Sequence, residues 1–185
     1  MRIIGGRLRG RRLARPVSAT IRPTGNRIRA SLFNILEHRF GGNFNGLRVL
    51  DLFAGTGALG LEALSRGAKT VVFIEESYEG CGLIHTNLEV LGLTNASCIL
   101  RRDATQLGSV DTMAPFNLVF ADPPYRRGMG ERACIASLAG GWLHTDATFI
   151  LEDAADVAVN LPERFIMDDE RYYGITAIRF YILAQ

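Results

Sequence analysis

Short apolar runs recur from residue 46 onward, separated by segments long enough for helices. The runs are "LRVLDLF" (47–53), "TVVFIE" (70–75), "ASCILR" (96–101), "FNLVFA" (116–121) and "ATFILE" (147–152). Near-continuous apolar runs of this length predict strands buried on both faces, the rhythm of repeated βαβ units in a parallel sheet. The closing stretch "RFIMDDERYYGITAIRFYIL" reads instead as two strands around a turn near Tyr173-Gly174, which predicts an antiparallel hairpin. Ahead of the first run, Ile28, Leu32, Ile35, Leu36 and Phe40 form the stripe of an amphipathic helix. Pro23 suits its entry, Thr24 or Asn26 its cap, and Gly41-Gly42 its end.

Charge divides the chain differently from hydropathy. Residues 1–40 hold ten arginines and one acid, Glu37, for a local net of +9, whereas the whole chain carries only +2. A basic block of this kind predicts an arm for a polyanion, with an ordinary solvated face as the alternative. Length changes the picture less: 185 residues with 48% apolar content fit one domain with a sizeable core. No apolar run approaches the roughly 20 residues of a membrane span, and no apolar block follows the basic start as in a signal peptide, so a cytoplasmic protein is expected. Cys81, Cys98 and Cys134 are widely spaced, and His38, His85 and His144 make no ligand pattern around them. Reduced thiols and no metal are expected.

Candidate chemistry begins where the first run ends. In "DLFAGTGALG" (51–60), Gly55, Gly57 and Gly60 satisfy G-x-G-x-x-G between a strand and a helix, the pattern of a dinucleotide turn. Glu75, 20 residues after Gly55, ends the next strand, where an acid would hold ribose hydroxyls of either a dinucleotide or an adenosyl ligand. Asp51 separates these two. A carboxylate just before the loop repels the phosphates of a dinucleotide by about 1 kcal/mol or more even when screened. It favours S-adenosylmethionine, which carries an ammonium and a sulfonium and no phosphate. Phe53, Ala54, Gly55, Thr56 and Gly57 then form the cofactor loop. Asp103, followed by Ala104, closes the third strand and is either an acceptor for the adenine amino group or an ordinary strand-end turn residue.

"FADPPY" raises the acceptor side. Asp122 ends the fourth strand on the same sheet edge as Asp51, Glu75 and Asp103, so the four acids should rim one crevice. Pro123 and Pro124 stiffen the backbone and offer carbonyls without N–H donors. An aspartate oxygen and a proline carbonyl together accept both hydrogens of an –NH₂ group, and Tyr125 supplies a face on which a base can stack. This predicts methylation of an exocyclic amine on a base swung out of its stack, with Asp122 to Tyr125 as the catalytic group.

These residues resemble a known family. "DLFAGTGALGLEALSRGA" and "ADPPY" are similar to the class I S-adenosylmethionine-dependent methyltransferases, whose (D/N/S)-P-P-(F/Y/W) motif marks amino-group methylation of bases. "MRIIGGRLRGRRL", "IRPTGNRIRASLFNIL" and "RYYGITAIRFY" resemble the bacterial 16S rRNA (guanine(966)-N2)-methyltransferase family over nearly the whole chain. The resemblance implies an α/β, Rossmann-like fold: a seven-stranded, mostly parallel sheet with an antiparallel last strand, preceded by a basic N-terminal extension. It divides the chain into residues 1–42, for RNA binding, and residues 43–185, the methyltransferase domain. It implies 16S rRNA, in the small ribosomal subunit or its assembly intermediate, as the partner; with no sign of an obligate protein partner in the sequence, a monomer is expected. Arg7, Arg9, Arg11, Arg12, Arg22, Arg27 and Arg29 are the expected RNA contacts. The chain departs from the family at residues 26 and 31, where Asn26 and Ser31 replace acids. Two alternatives stay open from the residues: a DNA adenine or guanine amino methyltransferase, and a non-catalytic RNA-binding assembly factor.

Overall fold

A computed structural model describes residues 1–16 and 25–184. Seven strands form one sheet: β1 (Arg48–Leu52), β2 (Thr70–Ile74), β3 (Ser97–Leu100), β4 (Phe116–Ala121), β5 (Leu143–Ala154), β6 (Phe165–Tyr173) and β7 (Thr176–Leu183). Their order is β3-β2-β1-β4-β5-β7-β6. Neighbours from β3 through β5 run parallel, and β7 lies antiparallel between β5 and β6. The expected sheet and closing hairpin are therefore present. Four of the five central runs match their strands to within a residue or two. β5 begins earlier than "ATFILE" because its first turn of strand carries exposed His144, Thr145 and Asp146, which hide it from an apolar pattern.

Helices α1 (Asn26–Arg39), α2 (Ala58–Ser65), α3 (Tyr78–Leu91) and α4 (Met129–Ala139) cover the two faces. Alternate residues of each strand feed separate cores, as the period of two demands. Val49, Phe73, Leu118 and Phe120 pack with α1 to α3, while Leu50, Ile74, Val119 and Ala121 pack with Trp142 and the α4 residues Ala133 and Cys134. Gly60 allows the close seat of α2 on the sheet: a Cβ there would stand 2.4 Å from the Phe73 ring. Among the described residues no helix is long and apolar enough to cross a membrane, and no cluster of His, Cys, Asp and Glu is placed to hold a metal.

α1 is the expected amphipathic helix, with one exchange on its inner face. Leu32 and Leu36 are buried, but so are Phe33 and Arg29, while Ile28, Ile35 and Phe40 are only half-buried. Gly25 precedes the helix without a side-chain cap; Thr24 lies outside the described residues, and Asn26 Oδ1 instead accepts from Arg29 at 3.0 Å. Ser31 meets the Tyr173 hydroxyl at 2.6 Å and so ties α1 to the closing hairpin. Asn26 thus makes a polar contact within α1 and Ser31 one to a distant strand.

The basic N-terminal segment is built onto the sheet domain. Arg2 and Arg12 pair across a short loop-back, and Ile3 and Leu13 enter the core shared with α1 and α2. The N–H groups of Ile4 and Gly5 donate to the Glu62 carboxylate at 2.8 and 2.6 Å, and Leu8 N–H donates to Ser65 Oγ at 3.0 Å.

Candidate functional site

The strand order reverses between β1 and β4, and the crevice beyond their carboxyl ends is where open α/β sheets bind ligands. A cavity of about 830 Å³ opens there. One side is lined by Asp51, Phe53, Ala54, Gly55, Thr56, Glu75, Asp103 and Ala104; the other by Asp122, Pro123, Pro124 and Tyr125. The expected cofactor loop and D-P-P-Y group thus share one space, with Gly57 just behind the loop.

Local geometry explains why these residue types occupy these places. β1 ends in a tight turn that returns Gly57 N–H to the Ala54 carbonyl at 2.7 Å. Gly55 and Gly57 have φ of +53° and +75°, and the non-glycine Phe53 also sits at +58°. A bulky residue in that region is uncommon and costs about 1–3 kcal/mol, which the surrounding turn has to hold in place. Glu75 braces the turn: its Oε2 accepts from Gly55 N–H at 2.8 Å, and its Oε1 from Ser77 N–H and Oγ at 2.8 and 2.6 Å. Glu76 lines the same rim but is exposed. Asn87 of α3 joins the turn to the N-terminal segment, donating to the Thr56 carbonyl at 3.2 Å and accepting from Ala14 N–H at 2.8 Å.

Asp51 is 1% exposed, and its Oδ2 accepts from Gly60 N–H at 2.8 Å, one of the free donors in the first turn of α2. Burial pushes its carboxyl well above the usual aspartate range. The Gly60 bond opposes this, and the carboxylates of Asp122 and Glu75 add to it. Such a crowd of acids is an electrostatic cost in the free protein that a cationic ligand relieves. Asp103 lines the cavity and also caps a short helical turn, accepting from Thr105 N–H and Oγ1, each at 2.8 Å.

At the other end, the Tyr125 hydroxyl donates to Glu152 Oε1 at 2.5 Å and meets Thr176 Oγ1 at 3.0 Å. Burial and the Glu152 contact both push its phenol upward, so it stays a donor. Arg126 follows with φ of +61°, its N–H held by Asp153 Oδ1 at 3.0 Å. These bonds fix the exit from β4 on the end of β5. Glu152 and Thr176 both line the cavity and were missed as site residues. Glu152 closes the run "ATFILE", so the strand-end position that marked Asp51, Asp103 and Asp122 would have marked it too. Thr176 carried no such signal.

The expected RNA contacts divide. Arg7, Arg9, Arg11, Arg12 and Arg27 are exposed, and Arg22 lies outside the described residues. Arg29 requires correction. It is fully buried, with its guanidinium donating to the Arg2 carbonyl at 2.5 Å and standing 3.8 Å from Glu62. Burial lowers its proton affinity and Glu62 restores part of it. Three and four residues before Leu32 and Phe33, it falls on the inward stripe of α1, where it ties the N-terminal segment to α2 and cannot meet RNA.

The profile of the family described as "Conserved hypothetical protein 95" matches residues 1–182. The chain belongs to that family. It is 37% identical over 182 residues to "Ribosomal RNA small subunit methyltransferase D" of Escherichia coli (strain K12), covering 98% of this chain and 89% of that one. The protein of the same name from Haemophilus influenzae (strain ATCC 51907 / DSM 11121 / KW20 / Rd) is 34% identical over 183 residues, covering 98% and 93%. Among solved structures, "Putative methyltransferase yhhF from Escherichia coli" superposes with a TM-score of 0.85 at 34% identity, covering 100% of this chain and 98% of that one. An RNA methyltransferase from Salinibacter ruber in complex with S-adenosyl-L-homocysteine shares the fold, with a TM-score of 0.67 at 11% identity over 89% of this chain and 95% of that one. Membership of the family bears out the resemblance read from the glycine loop, D-P-P-Y and the terminal segments.

Proposed function

We propose that the protein transfers a methyl group from S-adenosylmethionine to the exocyclic N2 amino group of a guanine in 16S rRNA, at the position its family modifies. One observation carries this reading: a single cavity joins the acid-bearing glycine loop to the D-P-P-Y group, so donor and acceptor sites are continuous. The full-length similarity to proteins named for small-subunit rRNA methylation supports RNA as the polymer.

The residues fit the cofactor by their chemistry. Asp51 and its acidic neighbours suit a dication, Glu75 suits ribose hydroxyls, Asp103 suits the adenine amino group, and Phe53 to Gly57 bring backbone close to the ligand. When bound, S-adenosylmethionine supplies an electrophilic methyl on sulfur. The chain's own residues present the nucleophile. Tyr125, pinned through its hydroxyl, offers a fixed ring face for the base, worth roughly 1–3 kcal/mol of stacking. Asp122 and a proline carbonyl accept the two amino hydrogens and aim the nitrogen lone pair along the line of attack. After transfer the nitrogen bears an extra proton, which Asp122 or water removes. Exposed Arg7, Arg9, Arg11, Arg12 and Arg27 hold the RNA backbone, and a monomer suffices to bring both sites together.

Replacing Asp122 by Ala tests enzyme against assembly factor. Methyl transfer should fall by at least about 10²-fold, as for loss of a positioned acid-base group, with RNA affinity kept. A variant that still transfers methyl at the wild-type rate would remove Asp122 from the mechanism.

A further inference from the structure

The D-P-P-Y group explains how an –NH₂ is held, but any base with an exocyclic amine satisfies it. Discrimination must come from the neighbouring atom of the base edge. Guanine carries an N1–H donor beside its N2 amine, whereas an amine flanked by an unprotonated ring nitrogen presents a lone pair there. A guanine-selective pocket therefore needs one more acceptor next to Asp122.

Glu152 occupies that place. β4 and β5 pair in parallel through Ala121 and Leu151, and Asp122 and Glu152 follow these residues directly. Adjacent strands stand about 4.8 Å apart, which puts the two carboxyl groups within reach of neighbouring atoms on one base edge. Both line the main cavity, and both also line the small crevice beneath it beside Leu59 and Ile178. Glu152 is 7% exposed, so a base reaching it meets an acceptor largely stripped of water. The Tyr125 hydroxyl donates to Oε1 at 2.5 Å and fixes the carboxyl orientation. Each carboxylate oxygen has two lone-pair directions, so one group can accept from Tyr125 and from a base N–H together.

We propose that Glu152 is the specificity-determining residue of this site, selecting guanine by accepting its N1–H while Asp122 holds the N2 amine. This rests on the guanine-N2 reading of the cavity. The same contact links the two halves of base recognition: Tyr125 stacks on the face, and the carboxylate that anchors its hydroxyl reads the edge. A base with a lone pair at that position would be set against a buried acceptor and rejected.

The test compares kcat/KM on two otherwise identical target RNAs, one with guanine and one with 2-aminopurine at the methylated position. 2-Aminopurine keeps the 2-amine but has a lone pair at N1. The wild-type protein should prefer guanine about 10- to 100-fold on the strength of the N1–H contact. Glu152→Gln keeps a carbonyl for Tyr125 and brings an N–H donor toward the base, so that ratio should collapse or invert. Tyr125→Phe keeps the stacking ring but releases the carboxylate that its hydroxyl orients, so it should lower the ratio without inverting it. A Glu152→Gln protein that loses activity equally on both RNAs would reduce Glu152 to an anchor for Tyr125 and overturn the proposal. If that variant does not fold, Glu152→Asp, one methylene shorter, should also lower the ratio, and an unchanged ratio would overturn the proposal equally. Absence of transfer to the guanine RNA by the wild-type protein would instead overturn the guanine-N2 reading and this assignment with it.

Discussion

Replacing Glu62 by Ala should unfasten the N-terminal segment from α2, and the magnitude follows from the contacts. Glu62 is 0% exposed on α2 and accepts from Ile4 N–H, Gly5 N–H and the Arg66 guanidinium, with the buried Arg29 guanidinium 3.8 Å away. Removing one partner of a buried pair leaves an uncompensated charge and costs about 3–5 kcal/mol. The two N–H groups would cost about 1–3 kcal/mol each if they stayed dry, but the shortened side chain admits water to them, so the larger figure already covers most of the loss. For a domain of this size about 3–5 kcal/mol lowers Tm by roughly 6–20 °C. Urea denaturation and a thermal melt read the global loss, and limited proteolysis within residues 1–16 reads the local one. The Arg29→Leu, Glu62→Leu pair should recover part of the stability, because hydrophobic replacement removes both charges at once. A Glu62→Ala protein within about 1 kcal/mol of wild type, with its N-terminal segment still protected from protease, would refute the reasoning.

Two further outcomes can be checked directly. Asp51 holds its proton to higher pH than an ordinary aspartate, so its contribution to stability is present at low pH and is lost as pH rises from the ordinary aspartate range through its raised folded value. A cationic ligand favours the ionised form, so S-adenosylmethionine binding should release a proton and tighten with pH over that window; calorimetry in buffers of different ionisation enthalpy should show the release in wild type and none in Asp51→Asn. For the RNA surface, Arg9→Gln with Arg12→Gln should reduce the slope of log affinity against log salt by about two ion equivalents, whereas Arg29→Gln should lower stability and leave the slope alone.

The sheet was legible because β1, β2 and β4 are buried on both faces and so write themselves as unbroken apolar runs. The start of β5 was not, since His144 to Asp146 are exposed and the pairing with β4 shifts register across them, from Leu143 to Thr148. Asp51, Glu75, Asp103 and Asp122 could be placed on one rim because strand ends in a parallel sheet share an edge, and all four line the cavity. Glu152 escaped that reading because no motif follows it, although it comes directly after the last residue that pairs β5 with β4, while β5 itself runs on to Ala154 beside β7. Arg29 shows the opposite failure. A charge count treats every arginine in a basic block alike, and only the helical offset from Leu32 and Phe33 marks one of them as inward. The buried ion network it joins with Glu62 and Arg66 links three segments distant in sequence, which no local pattern records.

The most direct measurement supplies isotopically labelled S-adenosylmethionine and small ribosomal subunits lacking the modification, then digests the rRNA and separates its nucleosides. The account predicts label in N2-methylguanosine at a single site. Label in N6-methyladenosine, label only when DNA is offered, or no transfer to any nucleic acid would contradict it.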